Sequence, residues 1–358
     1  MSNLKVNTIN DASGGSAAVL YGVASPPNSM GFRNRIINGD MRIDQRNAGA
    51  SVAVATTVFG YLTVDRWRVN NQTDGALTLQ QSSVAPAGFN SSLLATITTA
   101  DASLGAAQYC FLQQYIEGFN VGDLAFGSAS ASPITVSFWV RSSVTGTFGG
   151  AITNGAVNRS YPFNYTISAA NTWEQKTVTL SGDTTGTWAT NNTAGMSVFF
   201  SLGTGTDNSG TANAWAGAQR FSATGATNLV GTNGATFYVT GVQLEAGTVA
   251  SQFERRDYGR ELMMCQRYYW KGEAGGAGGV AHMYSGPSIA SDSLGPYIFT
   301  PVMRVSPTMS ILVAPTYNSC SSFDVVATVG GGAMHRLTPS VSSAYRAYGG
   351  TYGASAEL

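Results

Sequence analysis

Hydrophobic and polar residues alternate with a period of two over most of this 358-residue chain. In ITVSFWVRSS (134–143) the even positions from Ile134 to Val140 are hydrophobic, whereas the odd positions, which include Trp139 and Arg141, form a polar face. The pattern returns in NTWEQKTVTLSG, AGMSVFFSLGTG and ATFYVTGVQLEAG, and Gly, Asn or Asp residues bound each of these segments. Because no helical stripe interrupts them, we expect residues 31–256 to form an all-β sandwich or jelly roll.

One segment departs from this alternation: FERRDYGRELMMCQRYYWK, residues 253–271. Tyr258, Leu262, Cys265 and Tyr269 are spaced i, i+4, i+7 and i+11, which is the apolar stripe of a helix. Asp257 is suited to be its N-cap. The sequence therefore predicts a short helix over residues 257–272, ended by the run GEAGGAGG.

The two ends of the chain differ from the middle. Residues 1–30 contain a weak strand, LKVNTIN, followed by DASGGS and a Pro-Pro linker. A segment this small has no core of its own, so we expect it to pair with other chains or to be disordered. Residues 273–358 return to short strand patterns such as PTMSILVAP, which predicts a small C-terminal β domain.

Composition excludes several classes of protein. Only 11% of residues are charged, the net charge is zero and the pI is near 6.7, so we expect no binding to duplex nucleic acid. Three cysteines at wide spacing indicate neither a disulfide framework nor a zinc site, and we expect them to be free and buried. No apolar run is long enough to span a bilayer, so neither membrane insertion nor a signal peptide is expected.

Charge is concentrated in two windows. Of the 19 Lys and Arg residues, six lie in residues 33–68 and five in residues 255–271. The first and last strands of a jelly roll are often neighbours, so the two windows are expected to meet. One hypothesis is a collar of inter-subunit ion pairs around a three-fold axis; the alternative is a solvated helix with weak surface pairs. The collar would use Arg255, Arg256, Asp257, Arg260, Glu261 and Arg267.

Six segments, in this order, resemble tail-fibre proteins of bacteriophages and prophages: FRNRIINGDMRIDQRN, VDRWRV, SPITVSFWVRSSVTG, NTWEQKTVTLSGDTTGTW, TFYVTGVQLEAGTVASQFERR and ELMMCQRYYWK. The resemblance covers residues 33–271, and its middle part is similar to the jelly-roll carbohydrate-binding modules of that family. LKVNTINDASGG is similar to segments that attach such fibres to the virion. The resemblance implies a homotrimeric fibre in the virion tail, with residues 1–30 joined to other tail or baseplate proteins. It also implies that the fibre binds a glycan or protein on the host cell surface.

Sugar binding requires aromatic faces with polar groups beside them. Trp139 with Arg141 is the first candidate, and Trp188 and Trp215 lie in polar, turn-rich segments typical of sugar platforms. Each of the three tryptophans could instead serve packing, in a second sheet, a subunit contact or a loop anchor. Trp173 and Trp67 are expected in the core, with a subunit interface as the alternative for Trp67.

Catalysis is not expected. Asp40 and Asp44 are the nearest pair of carboxylates, yet arginines adjoin them, and neither His282 nor His335 belongs to a catalytic motif. No cofactor is expected, although Asp40 and Glu245 could supply oxygen ligands to a structural calcium ion. Two alternatives to glycan attachment remain: a purely structural fibre or adaptor, and a polysaccharide-cleaving spike.

Overall fold

A computed structural model of the chain describes residues 33–274, 282–284, 292–298, 301–314, 316–318, 320–328, 332–339, 345–348 and 350–358. Side chains are described for residues 33–272, 301–312, 314 and 351–358. The N-terminal arm expected at residues 1–30 therefore lies outside the described residues, as do the side chains of His282 and His335.

The central part of the chain consists of strands connected by short loops. In chain order they are β1 (Val52–Val54), β2 (Val58–Gly60), β3 (Arg68–Asn71), β4 (Ala76–Ser82), β5 (Ser92–Thr99), β6 (Tyr109–Glu117), β7 (Ile134–Ser142), β8 (Gly146–Asn154), β9 (Ser160–Ile167), β10 (Glu174–Leu180), β11 (Ala194–Thr204), β12 (Ser209–Gly210), β13 (Ser222–Ala223) and β14 (Thr236–Ala246). Single turns of 3-10 helix lie at Gly118–Asn120, Gly122–Leu124, Thr206–Asn208 and Leu229–Gly231.

Twelve of these strands form two six-stranded antiparallel sheets. Sheet 1 has the order β1-β4-β5-β14-β7-β10, and sheet 2 has the order β2-β3-β6-β11-β8-β9. The even positions of β7 from Ile134 to Val140 are fully buried and belong to one hydrophobic core with residues of sheet 2. The rings of Phe138 and Phe200 meet there at 4.9 Å. The predicted jelly-roll-like sandwich is thus confirmed, and so is the core position of Trp67.

The prediction that Trp173 belongs to the core is wrong. Trp173 immediately precedes β10, and its side chain is only half-buried. Val178 and Leu180 of β10 point into the core, whereas Gln175, Thr177 and Thr179 are exposed on the other face. Trp173 has an odd number, as do the outward-facing residues of β10, and side chains two apart lie on the same face of a strand. Its side chain therefore lies on the outer face rather than in the core.

The only helix longer than one turn among the described residues is α1 (Tyr258–Gln266). Asp257 is its N-cap, since a carboxylate oxygen accepts from the backbone N–H of Arg260 at 2.8 Å, as predicted. The expected extension to residue 272 is wrong, because β15 (Tyr269–Ala274) pairs with a strand near the end of the chain. Tyr258 is exposed, so the apolar stripe is shorter than predicted. No helix in the described ranges has the length and apolar character needed to cross a membrane.

The C-terminal region is a small β domain, as predicted. Its strands are β15, β16 (His282–Tyr284), β17 (Asp292–Ile298), β18 (Thr308–Val313), β19 (Thr316–Asn318), β20 (Cys320–Thr328), β21 (Gly332–Pro339), β22 (Tyr345–Tyr348) and β23 (Gly350–Ser355). They form three three-stranded antiparallel sheets with the orders β15-β23-β18, β16-β22-β19 and β17-β21-β20. The first of these, called here the junction sheet, lies against the sandwich.

The two charged windows meet, as the sequence predicts. Arg256 is buried and donates to the backbone carbonyls of Asn34 and Ile36. Its guanidinium also pairs with Glu261 at 3.3 Å, and a carboxylate oxygen of Glu261 accepts from the backbone N–H of Asn38. The segment before β1 is therefore attached to α1 through buried, charge-assisted hydrogen bonds, which are stronger than neutral ones.

Candidate functional site

The outer face of sheet 1 carries aromatic side chains at the centre of the sheet. Trp139 lies on this face of β7, because its neighbours Phe138 and Val140 point into the core. It is half-buried, and its cross-strand partners are Thr240 of β14 and the exposed Gln175 of β10. Trp139 therefore lies on the face of β7 opposite the core, as the alternation predicted.

Tyr238 lies diagonally beside Trp139, since it pairs with Arg141 in the same register. The guanidinium carbon of Arg141 is 5.1 Å from the centroid of the Tyr238 ring, within the range of a cation–π contact. Trp173 also meets Tyr238 edge to face, at 6.0 Å between centroids. Tyr238 and Trp173 are half-buried, so part of each ring is open to solvent.

The aromatic surface continues past Trp139 because of a bulge in β14. The register of β14 against β7 shifts between Thr240 and Gln243, and Gly241 in this bulge has φ +60. A Cβ atom at Gly241 would lie 2.7 Å from the ring of Phe89 and 3.1 Å from that of Trp139. Glycine thus allows both rings to approach the strand, in a backbone conformation that other residues rarely adopt.

Phe253 meets Phe89 edge to face at 5.2 Å, and Arg255 lies over Phe89 at 4.6 Å. We call this row of five half-buried rings on one face the outer aromatic strip. Two arginines lie over its rings, Arg255 over Phe89 and Arg141 over Tyr238. Its rings belong to Phe253, Phe89, Trp139, Tyr238 and Trp173.

Polar groups flank the strip. Gln175 and Thr177 are exposed on the outer face of β10, next to Trp139. The Nε–H of Arg141 donates to the carbonyl of Asn171 at 2.9 Å, which fixes the guanidinium beside Tyr238. Aromatic faces with amide, hydroxyl and guanidinium groups at their margin can contact the C–H face of a sugar ring and bond its hydroxyls.

The structure brings Trp188 and Trp215 together at a corner of the sandwich. Their rings are perpendicular with centroids 5.6 Å apart, and both pack against Phe126. Each indole N–H is used by a backbone carbonyl, that of Ser181 for Trp215 and that of Thr185 for Trp188. Both rings also pack against the main core, so this corner has the contacts of loop anchors.

The residues of the proposed collar have partners within the chain. Arg256 and Glu261 form a buried ion pair, and Arg267 makes two bonds to the buried Glu117, at 2.6 and 3.0 Å. Asp257 caps α1, while Arg260 is exposed and Arg255 joins the outer aromatic strip. Contacts of these residues between subunits stay a prediction.

The carboxylates weighed for catalysis or calcium all have protein partners. Asp40 pairs with Arg42 at 3.2 Å, and burial raises the pKa of its carboxyl above the ordinary value. Asp44 accepts from the backbone N–H groups of Asn47 and Gly49. Glu245 accepts from Ser251 and Gln243. No cluster of three or more His, Cys, Asp or Glu side chains suited to a metal occurs in the described part of the chain.

Sequence reasoning found Trp139 and Arg141 but missed Phe89, Tyr238 and Phe253 as parts of one surface. The alternation in TFYVTG does place Tyr238 opposite the core residues Phe237 and Val239, so its outward direction was readable. The position of Phe89 depends on the bulge at Gly241, for which a strand-interior glycine is the only local signal.

No protein-family model matches the chain, and no curated protein sequence matches it. Among solved structures, the enzymatically active domain of tailspike protein 4 of bacteriophage CBA120 is similar, at TM-score 0.32 and 10% identity. That match covers 60% of this chain and 21% of the tailspike chain.

A second similar structure is the family 11 carbohydrate-binding module from Clostridium thermocellum in complex with a β-1,3-1,4-mixed-linked tetrasaccharide. Here the TM-score is 0.28 and the identity 12%, over 57% of this chain and all of the module. A third is the CBM22-1–GH10 part of xylanase 10B from the same organism, complexed with xylohexaose. It has TM-score 0.29 and 10% identity, over 56% of this chain and 30% of that one. Likeness this remote assigns neither a family, a ligand nor an activity.

Proposed function

We propose that this protein is an attachment protein of a virion tail fibre, and that its sandwich binds a cell-surface glycan along the outer aromatic strip. The observation that carries the binding proposal is the strip itself. Five half-buried rings line one face of sheet 1, with arginines over Phe89 and Tyr238 and exposed amide and hydroxyl groups beside Trp139. A surface of this kind is costly to leave exposed without a ligand.

The role in a fibre is supported by the sequence resemblance over residues 33–271 and by the attachment-like segment at residues 1–30. On this proposal the protein is a homotrimer in the virion tail, attached through residues 1–30 to other tail or baseplate proteins. Three weak sites on one trimer would then bind a cell surface with high avidity. The protein acts by binding rather than catalysis, since Asp40 and Asp44 are occupied by neighbouring donors.

The test is binding of the fluorescent full-length protein to an array of bacterial surface polysaccharides. We expect Trp139→Ala to lower binding by about tenfold, because one stacked ring contributes on the order of 1–2 kcal/mol. Arg141→Met should weaken binding less. Phe119→Ala is the matched control, since Phe119 is 65% exposed in the 3-10 turn after β6 of sheet 2, whereas the strip lies on sheet 1.

If Trp139→Ala binds every polysaccharide as the unaltered protein does, the strip is not the site. If the unaltered protein binds none, the purely structural fibre becomes the better explanation. Sedimentation of the full chain tests the trimer separately, and a monomer would contradict it.

A further inference from the structure

An open pocket of about 600 Å³ lies between the sandwich and the junction sheet. Arg46 and Tyr61 from the sandwich form one wall. The opposite wall is the face of the junction sheet that carries Tyr269 and Lys271 of β15 and Ser310 of β18. This size is suited to one or two sugar rings.

The aromatic wall contacts the half-buried guanidinium of Arg46. The guanidinium carbon of Arg46 is 3.7 Å from the centroid of Tyr269 and 5.6 Å from that of Tyr61. Arg46 also pairs with Asp65 at 3.1 Å and with Glu357 at 2.8 Å. The guanidinium of Arg46 is therefore held in place by two tyrosine rings, and its charge is balanced by two carboxylates.

Lys271 is different, because its side chain has no ion pair or hydrogen bond to any residue whose side chain is described. Beside the pocket, Arg46 pairs with Asp65 and Glu357, and Arg66 pairs with Glu357. Of the two cations that line the pocket, Arg46 and Lys271, only Arg46 thus has carboxylate partners, and Lys271 is half-buried.

Gly353 in β23 lies beside two hydroxyl groups of residues that line the pocket. A Cβ atom at this position would lie 2.9 Å from the Oγ of Ser310 and 3.1 Å from the phenol oxygen of Tyr269. The absence of a side chain leaves these two hydroxyls accessible from the same space. Hydroxyl groups and a tyrosine ring at the wall are suited to a polyhydroxylated ring.

We propose that this pocket binds an anionic saccharide unit, with the acidic group on Lys271 and the sugar ring against Tyr269, Ser310 and Gly353. The site differs from the outer aromatic strip and shares no residue with it. It gives the protein a second binding site, which distinguishes acidic from neutral sugars.

The test is isothermal titration calorimetry of the full chain with D-glucuronic acid, N-acetylneuraminic acid, glucose 6-phosphate and glucose. Comparing the two carboxylated sugars with the phosphorylated one shows which kind of acidic group is preferred. Glucose gives the affinity for a neutral sugar ring. We expect the acidic sugars to bind and glucose to bind about fivefold more weakly, because one partly solvated ion pair contributes about 1 kcal/mol.

Two substitutions locate the site. Lys271→Met removes the charge and keeps most of the aliphatic chain, so affinity for the acidic sugars should fall to that for glucose, whereas Lys271→Arg should retain the preference. Gly353→Ala places a methyl group against the hydroxyls of Ser310 and Tyr269 and should weaken binding of all four sugars. Lys176→Met is the matched control, because Lys176 lies on β10 and pairs with Glu174.

Equal binding of acidic and neutral sugars by the unaltered protein would overturn the proposal, and so would an unchanged affinity of Lys271→Met. Absence of any binding would overturn it as well. Trp139→Ala should leave these titrations unchanged, which separates a failure of this pocket from a failure of the strip.

Discussion

Trp139 lies directly against Gly241, since a Cβ atom on the glycine would stand 3.1 Å from Cδ1 of the indole. The same Cβ atom would stand 2.7 Å from the ring of Phe89. One backbone position with φ +60 therefore determines whether the two halves of the outer aromatic strip form one surface.

We therefore expect Gly241→Ala to lower the free energy of unfolding by about 2–4 kcal/mol, because the left-handed backbone and the steric overlap both add to the cost. Gly234→Ala is the matched control, with φ +74 and open space around the added methyl group, and should cost about 1 kcal/mol. Urea unfolding of both variants measures the difference. Equal losses would show that Phe89 and Trp139 do not press on Gly241.

The corner formed by Trp188 and Trp215 should behave differently from the strip. Both rings pack against the core and their N–H groups are bonded to backbone carbonyls. We expect Trp215→Ala to destabilise the sandwich by about 2–3 kcal/mol, because a half-buried ring leaves a smaller cavity than a buried one. Its polysaccharide binding, measured below the unfolding transition, should be unchanged. Loss of binding by a folded Trp215→Ala would restore this corner as a sugar site.

The sequence predicted the elements whose stability depends on local pattern. Alternation identified the faces of β7. The N-cap of α1 at Asp257 was also readable, since its bonds are made within four residues. Both features depend on neighbours in the chain, which a sequence shows directly. The meeting of the two charged windows was expected on another ground, the frequent pairing of the first and last strands of a jelly roll, since Arg256 and Ile36 are 220 residues apart.

Features that depend on distant pairing were missed. Tyr269–Ala274 continues the helical spacing of α1, yet it forms a strand because it pairs with Gly350–Ser355 about 80 residues later. Likewise, Tyr238 and Trp139 become neighbours only through the register of β14 on β7, which a bulge shifts. Neither the register nor the bulge follows from local propensity, because both are fixed by packing across the whole sheet.

The contact between Arg66 and Glu357 connects the sandwich to the segment that follows β23. Arg66 is fully buried, and the same carboxylate also pairs with Arg46. We expect Glu357→Gln to cost about 3 kcal/mol, because it leaves a buried guanidinium without its counter-charge. Adding Arg66→Met should recover part of this loss. The loss of stability near β23 is measured by hydrogen exchange at the backbone amides of Ala354 and Ala356. If the losses of the two single variants simply add in the double variant, the pairing of Arg66 with Glu357 is contradicted.

Stability should also depend on pH through Asp65. Its carboxylate is buried and accepts from Gln45 and Arg46, yet burial outweighs these attractions and raises its pKa from 3.8 to about 7. The protonated form is therefore favoured by folding. Its contribution to stability is complete below pH 3.8 and is lost as the pH rises to about 7.

We expect Asp65→Asn, which cannot ionise, to become more stable relative to the unaltered protein as the pH rises from 4 to 7. The change should be of the order of 3 kcal/mol, because each pKa unit is equivalent to about 1.4 kcal/mol. Urea unfolding at several pH values measures this difference, with Asp74→Asn, an exposed carboxylate, as the control. A difference that stays constant with pH would mean that Arg46 keeps Asp65 ionised throughout, and that the wall of the pocket beside Tyr269 does not change its charge.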